Sequence, residues 1–254
     1  MTAATCPPAL QVSGLGFRAG GASILSDIDL QVAAGEFVGI IGPNGAGKTT
    51  LFNLLSGLLR PTEGLVFLGG RDLGRLAPAE RARLGLGRTF QTSLLFGALS
   101  VLENARLSAQ ARLGGSMRWW RRPRAGDEST ARARAALEAV GLQEVADRPA
   151  SALSHGDKRK LELAILMAGQ SEVLLLDEPM AGVNSEDVPG LTKLIASLHA
   201  SGRTVLMVEH HMAVVLGLAE RVAVLHHGRM LACGQPGAVI ADQTVQSAYL
   251  GEPL

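Results

Sequence analysis

The stretch GPNGAGKTT, Gly42 to Thr50, carries the residue types needed to hold a polyphosphate. It fits G-x-x-x-x-G-K-[ST], with the apolar run FVGII before it and a helix-forming stretch after it. Gly42, Gly45 and Gly47 let the backbone curl around Pro43, Asn44 and Ala46, so that loop N–H groups face inward onto phosphate oxygens. The helix that starts at this loop adds its positive end. Lys48 supplies a point charge for the β- and γ-phosphates, and the Thr49 hydroxyl, with Thr50 beside it, suits Mg²⁺. The loop therefore predicts binding of a nucleoside triphosphate.

Hydrolysis needs further groups. VLLLDEP places Asp177 and Glu178 at the carboxyl end of an apolar run, where open α/β sheets bind ligands. An Asp there holds the Mg²⁺ shell, and Glu178 is placed to accept a proton from an attacking water. TVLMVEHH ends in His210 and His211, and a histidine at that edge is suited to donate to a γ-phosphate. Gln91, in RTFQ, carries an amide that suits Mg²⁺ or water. Ser154 and Asp157, with Gly156 between them, have the spacing of a capping box and predict a helix start in ALSHGDKRKLE. The adjacent pairs His210-His211 and His226-His227 do not read as a metal site, because neighbours on a strand point to opposite faces.

These groups need a scaffold. Phe37 to Ile41, Val173 to Leu176 and Val205 to Val208 are unbroken apolar runs, as in parallel strands covered on both faces. Helical stretches follow at Lys48 to Leu58, Ser185 to His199 and His211 to Ala219, which predicts a doubly wound α/β core. Ser26 to Val32 alternates, Ile28, Leu30 and Val32 against Asp27, Asp29 and Gln31, and reads as a half-buried antiparallel strand. Gly64 to Leu68, closed by Gly69-Gly70, is a second short strand. From 99 to 150 the chain is rich in Ala, Leu, Arg and Glu, without a strand run, and Ser129 to Val140 is a helix ending at Gly141. One domain spanning 1–254 is expected, with a core and β subdomain over about 8–94 and 166–254 and a helical insertion over about 95–165. GLGR, Gly85 to Arg88, is too weak to be a second nucleotide fingerprint.

The totals exclude several classes. A chain of 254 residues, 47% hydrophobic and 19% charged, buries a full core, and a net charge of +1 offers no field for nucleic acid. Cys6 and Cys233 form no CxxC and no disulfide framework. The opening MTAATCPPAL lacks a basic region followed by an apolar run, and no apolar stretch approaches the roughly 18 residues of a spanning helix, so a soluble chain is expected. RWWRRPR at 118–124 reads as a solvated loop; contact of Trp119 and Trp120 with lipid headgroups or a nucleic acid is the alternative.

GPNGAGKTT, RTFQ, LSHGD, LLLDEP and VEHH stand in one order, and in that order the chain resembles the ATP-binding subunits of ABC transporters over about residues 9 to 250. The resemblance implies a P-loop NTPase (RecA-like) α/β core with an antiparallel β subdomain and an inserted α-helical subdomain. It makes Gln91 the Q-loop residue, Asp177 and Glu178 the Walker B pair, His210 the switch histidine and Ala181 to Asn184 the D-loop. It also gives the tip at Ser154 and Gly156 a target, the γ-phosphate of ATP held by a second subunit. ATP and Mg²⁺ are the implied cofactors. The implied partners are a second ATP-binding subunit, identical or paralogous, membrane permeases and, indirectly, a solute-binding protein. The implied location is the cytoplasmic face of the inner membrane.

GLGRTFQTSLLFGALSVLENARL, LSHGDKRKLELA and AYLGE look like the ATPase of branched-chain amino acid importers, and residues 110–127 fit an insertion of that subfamily. Importers for urea, amides or aromatic acids share much of the pattern. The rivals are a lipopolysaccharide-export ATPase and a soluble ABC ATPase acting in translation or on DNA. The chain departs from its subfamily at His155, where Tyr is usual, and at His211, where an acid is usual. Asp157 stands where the wider family has Gln, and Ala19 where an aromatic stacks on adenine. Phe17, two residues from Ala19 and on the same strand face, is the substitute candidate.

Overall fold

A computed structural model describes residues 7–90, 94–114 and 127–250. Gln91, Cys6, the 118–124 run and most of the 110–127 insertion lie outside the described residues. In chain order the elements are β1 (Leu10–Ala19), β2 (Ala22–Val32), β3 (Phe37–Ile41), α1 (Lys48–Ser56), β4 (Glu63–Leu68), β5 (Arg71–Asp72), α2 (Pro78–Arg83) and β6 (Leu86–Arg88). Three helices follow, α3 (Val101–Leu113), α4 (Glu128–Ala139) and α5 (His155–Ala168). The chain then runs through β7 (Val173–Asp177), α6 (Val188–Ala200), β8 (Thr204–Val208), α7 (Met212–Leu218), β9 (Arg221–His226), β10 (Arg229–Gly234), α8 (Pro236–Ala241) and α9 (Gln243–Leu250).

Among the described residues the strands form two sheets. The larger has the order β10-β9-β3-β8-β7-β6 and is parallel except for β10. Its unbroken apolar runs arise because both faces are covered. Val38, Ile40, Leu175, Leu206 and Val208 enter one core, while Phe37, Ile41, Leu174, Leu176, Val205 and Met207 enter the other. The period of two thus divides each strand between two clusters. The second sheet, β2-β1-β4-β5, is antiparallel. One face of β2 is solvated, so Ile28, Leu30 and Val32 are buried while Asp27, Asp29 and Gln31 are exposed. Helices α3, α4 and α5 close a third cluster around Val101, Ala105, Leu137, Leu161 and Ala164. Among the described residues no helix is long and apolar enough to cross a membrane.

Helix boundaries depart from expectation for local reasons. Helix α1 stops at Ser56, because Gly57 at φ 82° turns its N–H back onto Leu54 O. Helix α6 starts at Val188 rather than Ser185, because Pro189 lacks an N–H and is tolerated only in the first turn. The capping box at α5 is half formed. Ser154 Oγ accepts the Asp157 N–H at 3.1 Å, but the Asp157 carboxylate takes the Ser154 hydroxyl at 2.9 Å and Lys160 Nζ at 3.0 Å. Aspartate is one methylene shorter than the glutamate that usually reaches back to the cap N–H.

The carbonyls at the end of α1 have an unusual further partner. Arg81, 2% exposed, donates to Leu54 O and Leu55 O at 2.7 Å, to Leu73 O at 2.8 Å and to Leu76 O at 3.1 Å. Its positive charge also sits at the negative end of the helix. An Arg81→Met variant keeps most of the buried volume but removes all four of these bonds, leaving Leu54 O with only the Gly57 N–H and Leu73 O with only the Leu76 N–H. It is expected to lose roughly 3 kcal/mol or more of stability in urea unfolding.

Candidate nucleotide site

The loop from Gly42 to Gly47 joins the buried end of β3 to the start of α1. Gly42 has φ 155°, and a Cβ there would lie 2.1 Å from Leu225 O. Gly47 has φ 102°, and a Cβ there would lie 2.6 Å from Leu25 Cδ2. These positions demand glycine because β9 and β2 press on the loop from outside. The turn after β9 braces it further, with Gly228 N–H donating to Ala46 O at 3.1 Å and Ser26 N–H to Gly228 O at 2.8 Å. Leu25, which touches Gly47, is the cross-strand partner of Phe17, and Phe17 is half-buried against the same core. Phe17 thus lies one strand pairing away from the loop.

Lys48 is nearly buried and lies folded over the loop, its Nζ donating to Gly42 O at 2.7 Å and Pro43 O at 3.0 Å. Burial lowers its pKa, opposed by the charges of Glu178 and Asp177. The ammonium and both carboxylates therefore share one electrostatic neighbourhood. Thr49 is exposed at the head of α1.

Asp177 ends β7. Its Oδ2 accepts from Arg88 Nη2 at 2.8 Å and its N–H donates to Thr89 Oγ1 at 3.1 Å, while Oδ1 is buried with no hydrogen-bond partner. Burial raises its carboxyl pKa, and the Arg88 bond and charge oppose that. A buried oxygen without a donor is costly unless something cationic arrives. Hard oxygen donors such as Asp177 Oδ1 and Thr49 Oγ1 are the type Mg²⁺ takes, together with phosphate oxygens and water. The residues present fit that ion, and its bound charge would stabilise negative oxygens during phosphoryl transfer.

Glu178 occupies a left-handed conformation, φ 48°, with its N–H donating to Val208 O at 2.9 Å. The backbone turns out of the sheet at this residue and brings Glu178 Oε1 to 3.1 Å from His210 Nε2. The expected strand end at His210 is not found: β8 stops at Val208, and His210 and His211 lie in the following turn. Pairing of neighbours on opposite strand faces therefore does not govern them. Nor does it govern His226 and His227, whose rings lie 4.1 Å apart because His227 adopts φ 45°. Among the described residues no group of three His, Cys, Asp or Glu side chains is arranged for a metal.

Three side chains join this cluster that motif reading passed over. Glu209, 2% exposed, takes the N–H of Met180 at 2.7 Å, of His210 at 2.9 Å and of His211 at 3.2 Å, tying the turn after Glu178 to the turn that carries His210. Arg88 and Thr89 hold Asp177. The available signal was positional: Arg88, like Asp177, is a charge closing a short strand, and Glu209 directly follows one.

The α5 tip stands apart from the loop. Among the described residues no hydrogen bond links Ser154 or Gly156 to residues 42–50. Gly156 packs instead beside Asp187, and His155 beside Gly182 of the 181–184 turn. Arg159 fastens the helix to both neighbours, donating to Phe90 O at 3.0 Å and Ala181 O at 3.3 Å. At the head of α5 Ser154 and His155 are exposed, while Gly156 is buried.

Comparison with known proteins accounts for this pattern. A family profile described as ABC transporter matches residues 25–181. Over 251 residues the chain is 41% identical to the high-affinity branched-chain amino acid transport ATP-binding protein LivG of Escherichia coli (strain K12), covering 96% of this chain and 98% of that protein. It is 37% identical over 229 residues to the lipopolysaccharide export system ATP-binding protein LptB of Acidithiobacillus ferridurans, covering 90% of this chain and 91% of that protein. Among solved structures, an ATP-binding cassette of an ABC transporter in its ADP conformation superposes with a TM-score of 0.84 at 29% identity, covering 96% of this chain and 99% of that one. A glycine-rich loop, the buried Asp177 beside the half-buried Glu178 and the exposed Ser154 at the head of α5, found together in a chain this similar end to end, place the protein in the ABC transporter family as one of its ATP-binding, ATP-hydrolysing cassettes.

Proposed function

We propose that the chain is the ATPase of an importer for branched-chain amino acids or related small polar solutes. Two subunits, identical or a close pair, clamp two MgATP between the 42–50 loop of one and the Ser154–Gly156 tip of the other. Loop N–H groups and Lys48 hold the phosphates, and Phe17 is the candidate for stacking on adenine. Thr49, Asp177 and Gln91 are the candidates for the metal shell. Glu178 accepts the proton of the attacking water, and His210 exchanges its bond with Glu178 for one with the γ-phosphate. The helical part, about 95–165, moves against the core and β parts, about 8–94 and 166–254.

The partner on the membrane side is a permease, met on the cytoplasmic face of the inner membrane; the solute-binding protein acts only through that permease, and nucleic acid has no part. A cavity of about 390 Å³, lined among others by Leu58, Pro78, Ala82, Phe90, Ala111 and Leu166, lies between the core and the helical part. Leu94 and Phe96, just beyond it in sequence, are exposed. This is the docking place the reading favours for a helical loop of the permease.

The observation that carries the mechanism is the Glu178–His210 pair, 3.1 Å apart and sharing its neighbourhood with Lys48. The cargo rests on the 41% identity to LivG. The 37% identity to LptB keeps lipopolysaccharide export as the second reading. Reconstitution in proteoliposomes with the permeases that co-purify with the chain decides between them. Leucine-loaded binding protein is expected to stimulate ATP hydrolysis severalfold. Stimulation by lipopolysaccharide alone would favour the export reading, and stimulation by nucleic acid a soluble ATPase.

A further inference from the structure

Arg88 closes β6 with its side chain only 6% exposed. Its Nη2 donates to Asp177 Oδ2, and its Nη1 to Asn53 Oδ1 and Ser56 Oγ on α1, all at 2.8 Å. The guanidinium also lies over two rings, 5.7 Å from the centroid of Phe52 and 4.9 Å from that of Phe90. One planar cation therefore touches the helix that begins with Lys48 and Thr49, the strand that ends in Asp177, and the residue just before Gln91.

The consequence falls on Asp177. Its backbone is held by Thr89 and its Oδ2 by Arg88, so the carboxylate has little freedom to rotate. The oxygen left over, Oδ1, is the one without a partner. We propose that Arg88 is a positioning residue for the divalent cation: it occupies Oδ2, presents Oδ1 as the acceptor for the metal's shell, and locks that carboxylate to the helix carrying Lys48 and Thr49. Arg88 itself touches neither metal nor nucleotide. This rests on the reading of Asp177 as a metal-shell residue. Lysine cannot replace it, because a point charge on a flexible stem cannot bridge Asp177, Asn53 and Ser56 at once.

The test reads metal affinity rather than turnover. Mn²⁺ is titrated into the full chain with ADP and followed by electron paramagnetic resonance, and ADP affinity in EDTA is measured in parallel. Arg88→Lys is expected to weaken Mn²⁺ by about tenfold or more, as loss of a ligand-orienting partner does, and to leave metal-free ADP binding unchanged. Asn53→Ala, which loosens the guanidinium without touching Asp177, is expected to move Mn²⁺ the same way by less. Asp177→Asn separates the two layers. If it weakens Mn²⁺ while Arg88→Lys and Asn53→Ala match wild type, the role of Arg88 is overturned alone. If Asp177→Asn itself has no effect, the metal assignment falls and the inference with it. Should Arg88→Lys fail to fold in thermal melts, wild-type Mn²⁺ affinity in Asn53→Ala overturns the proposal.

Discussion

Replacing Glu178 by Gln is expected to cut ATP turnover by about 10²–10⁴-fold while ATP stays bound. The substitution keeps shape and removes basicity. Glu178 is fixed by its left-handed turn and by its N–H bond to Val208 O, both properties of the backbone that the amide leaves alone. A glutamine oxygen can still accept from His210 Nε2 across the 3.1 Å that Glu178 Oε1 spans now. What it cannot do is take a proton from water. Single-turnover phosphate release, with size-exclusion chromatography in MgATP, checks both halves. The expected result is a persistent ATP-loaded pair of subunits with very slow release. Wild-type turnover would remove Glu178 from the role of general base and turn attention to His210.

The legible parts of this chain are those in which cause and effect lie within a few residues. The curl of the 42–47 loop could be read because Gly42, Gly45 and Gly47 all take positive φ, and at Gly42 and Gly47 the neighbouring strands also leave no room for a Cβ. The core strands could be read because coverage on both faces leaves an unbroken apolar run, and β2 because coverage on one face leaves alternation. Capping at α5 was legible as a position, but not in its bonding, since the reach of a shorter carboxylate is set by geometry.

Long-range polar ties were not legible. Arg81 reaches across 26 and 27 residues to Leu55 and Leu54, and Arg88 across 89 to Asp177. In the sequence Arg88 only ends a weak glycine pattern, GLGR. Glu209 stands between a buried run and two histidines, and its carboxylate joins the turns carrying Glu178 and His210. In each case the charge serves backbone N–H or C=O groups, or a second charge, that only folding brings near. The described geometry therefore adds positioning groups around catalytic candidates that the sequence could already suggest.

Ser154→Arg tests whether one subunit is an incomplete machine. It is expected to leave nucleotide binding by the single chain near wild type, abolish ATP-driven pairing and lower turnover by about 10²-fold or more, the scale for losing donors aimed at a developing anion, because the bulky side chain would shield the N–H groups of the helix end. Ser154 is exposed at the N-terminus of α5, far in bonding terms from its own cradle, so an arginine there has no route to the phosphates that Lys48 would hold. Across a subunit interface the same side chain would occupy space reserved for a γ-phosphate. The native tip already holds an anion. Burial pushes the Asp157 carboxyl up, but hydrogen bonds from Lys160 and Ser154 outweigh it, so the group stays ionised at neutral pH. The Ser154 hydroxyl now donates to that carboxylate, at 2.9 Å. Meeting a phosphate exchanges one anionic acceptor for another, which keeps the hydroxyl's own gain small and leaves the N–H groups of the helix end as the main attraction. Ser154→Gly, which retains those N–H groups and costs only a few tenths of a kcal/mol at a cap, is accordingly expected to pair nearly normally. Analytical ultracentrifugation with MgATP and steady-state hydrolysis read both variants. A strictly monomeric Ser154→Arg protein hydrolysing at the wild-type rate would mean that the catalytic site is complete within one chain.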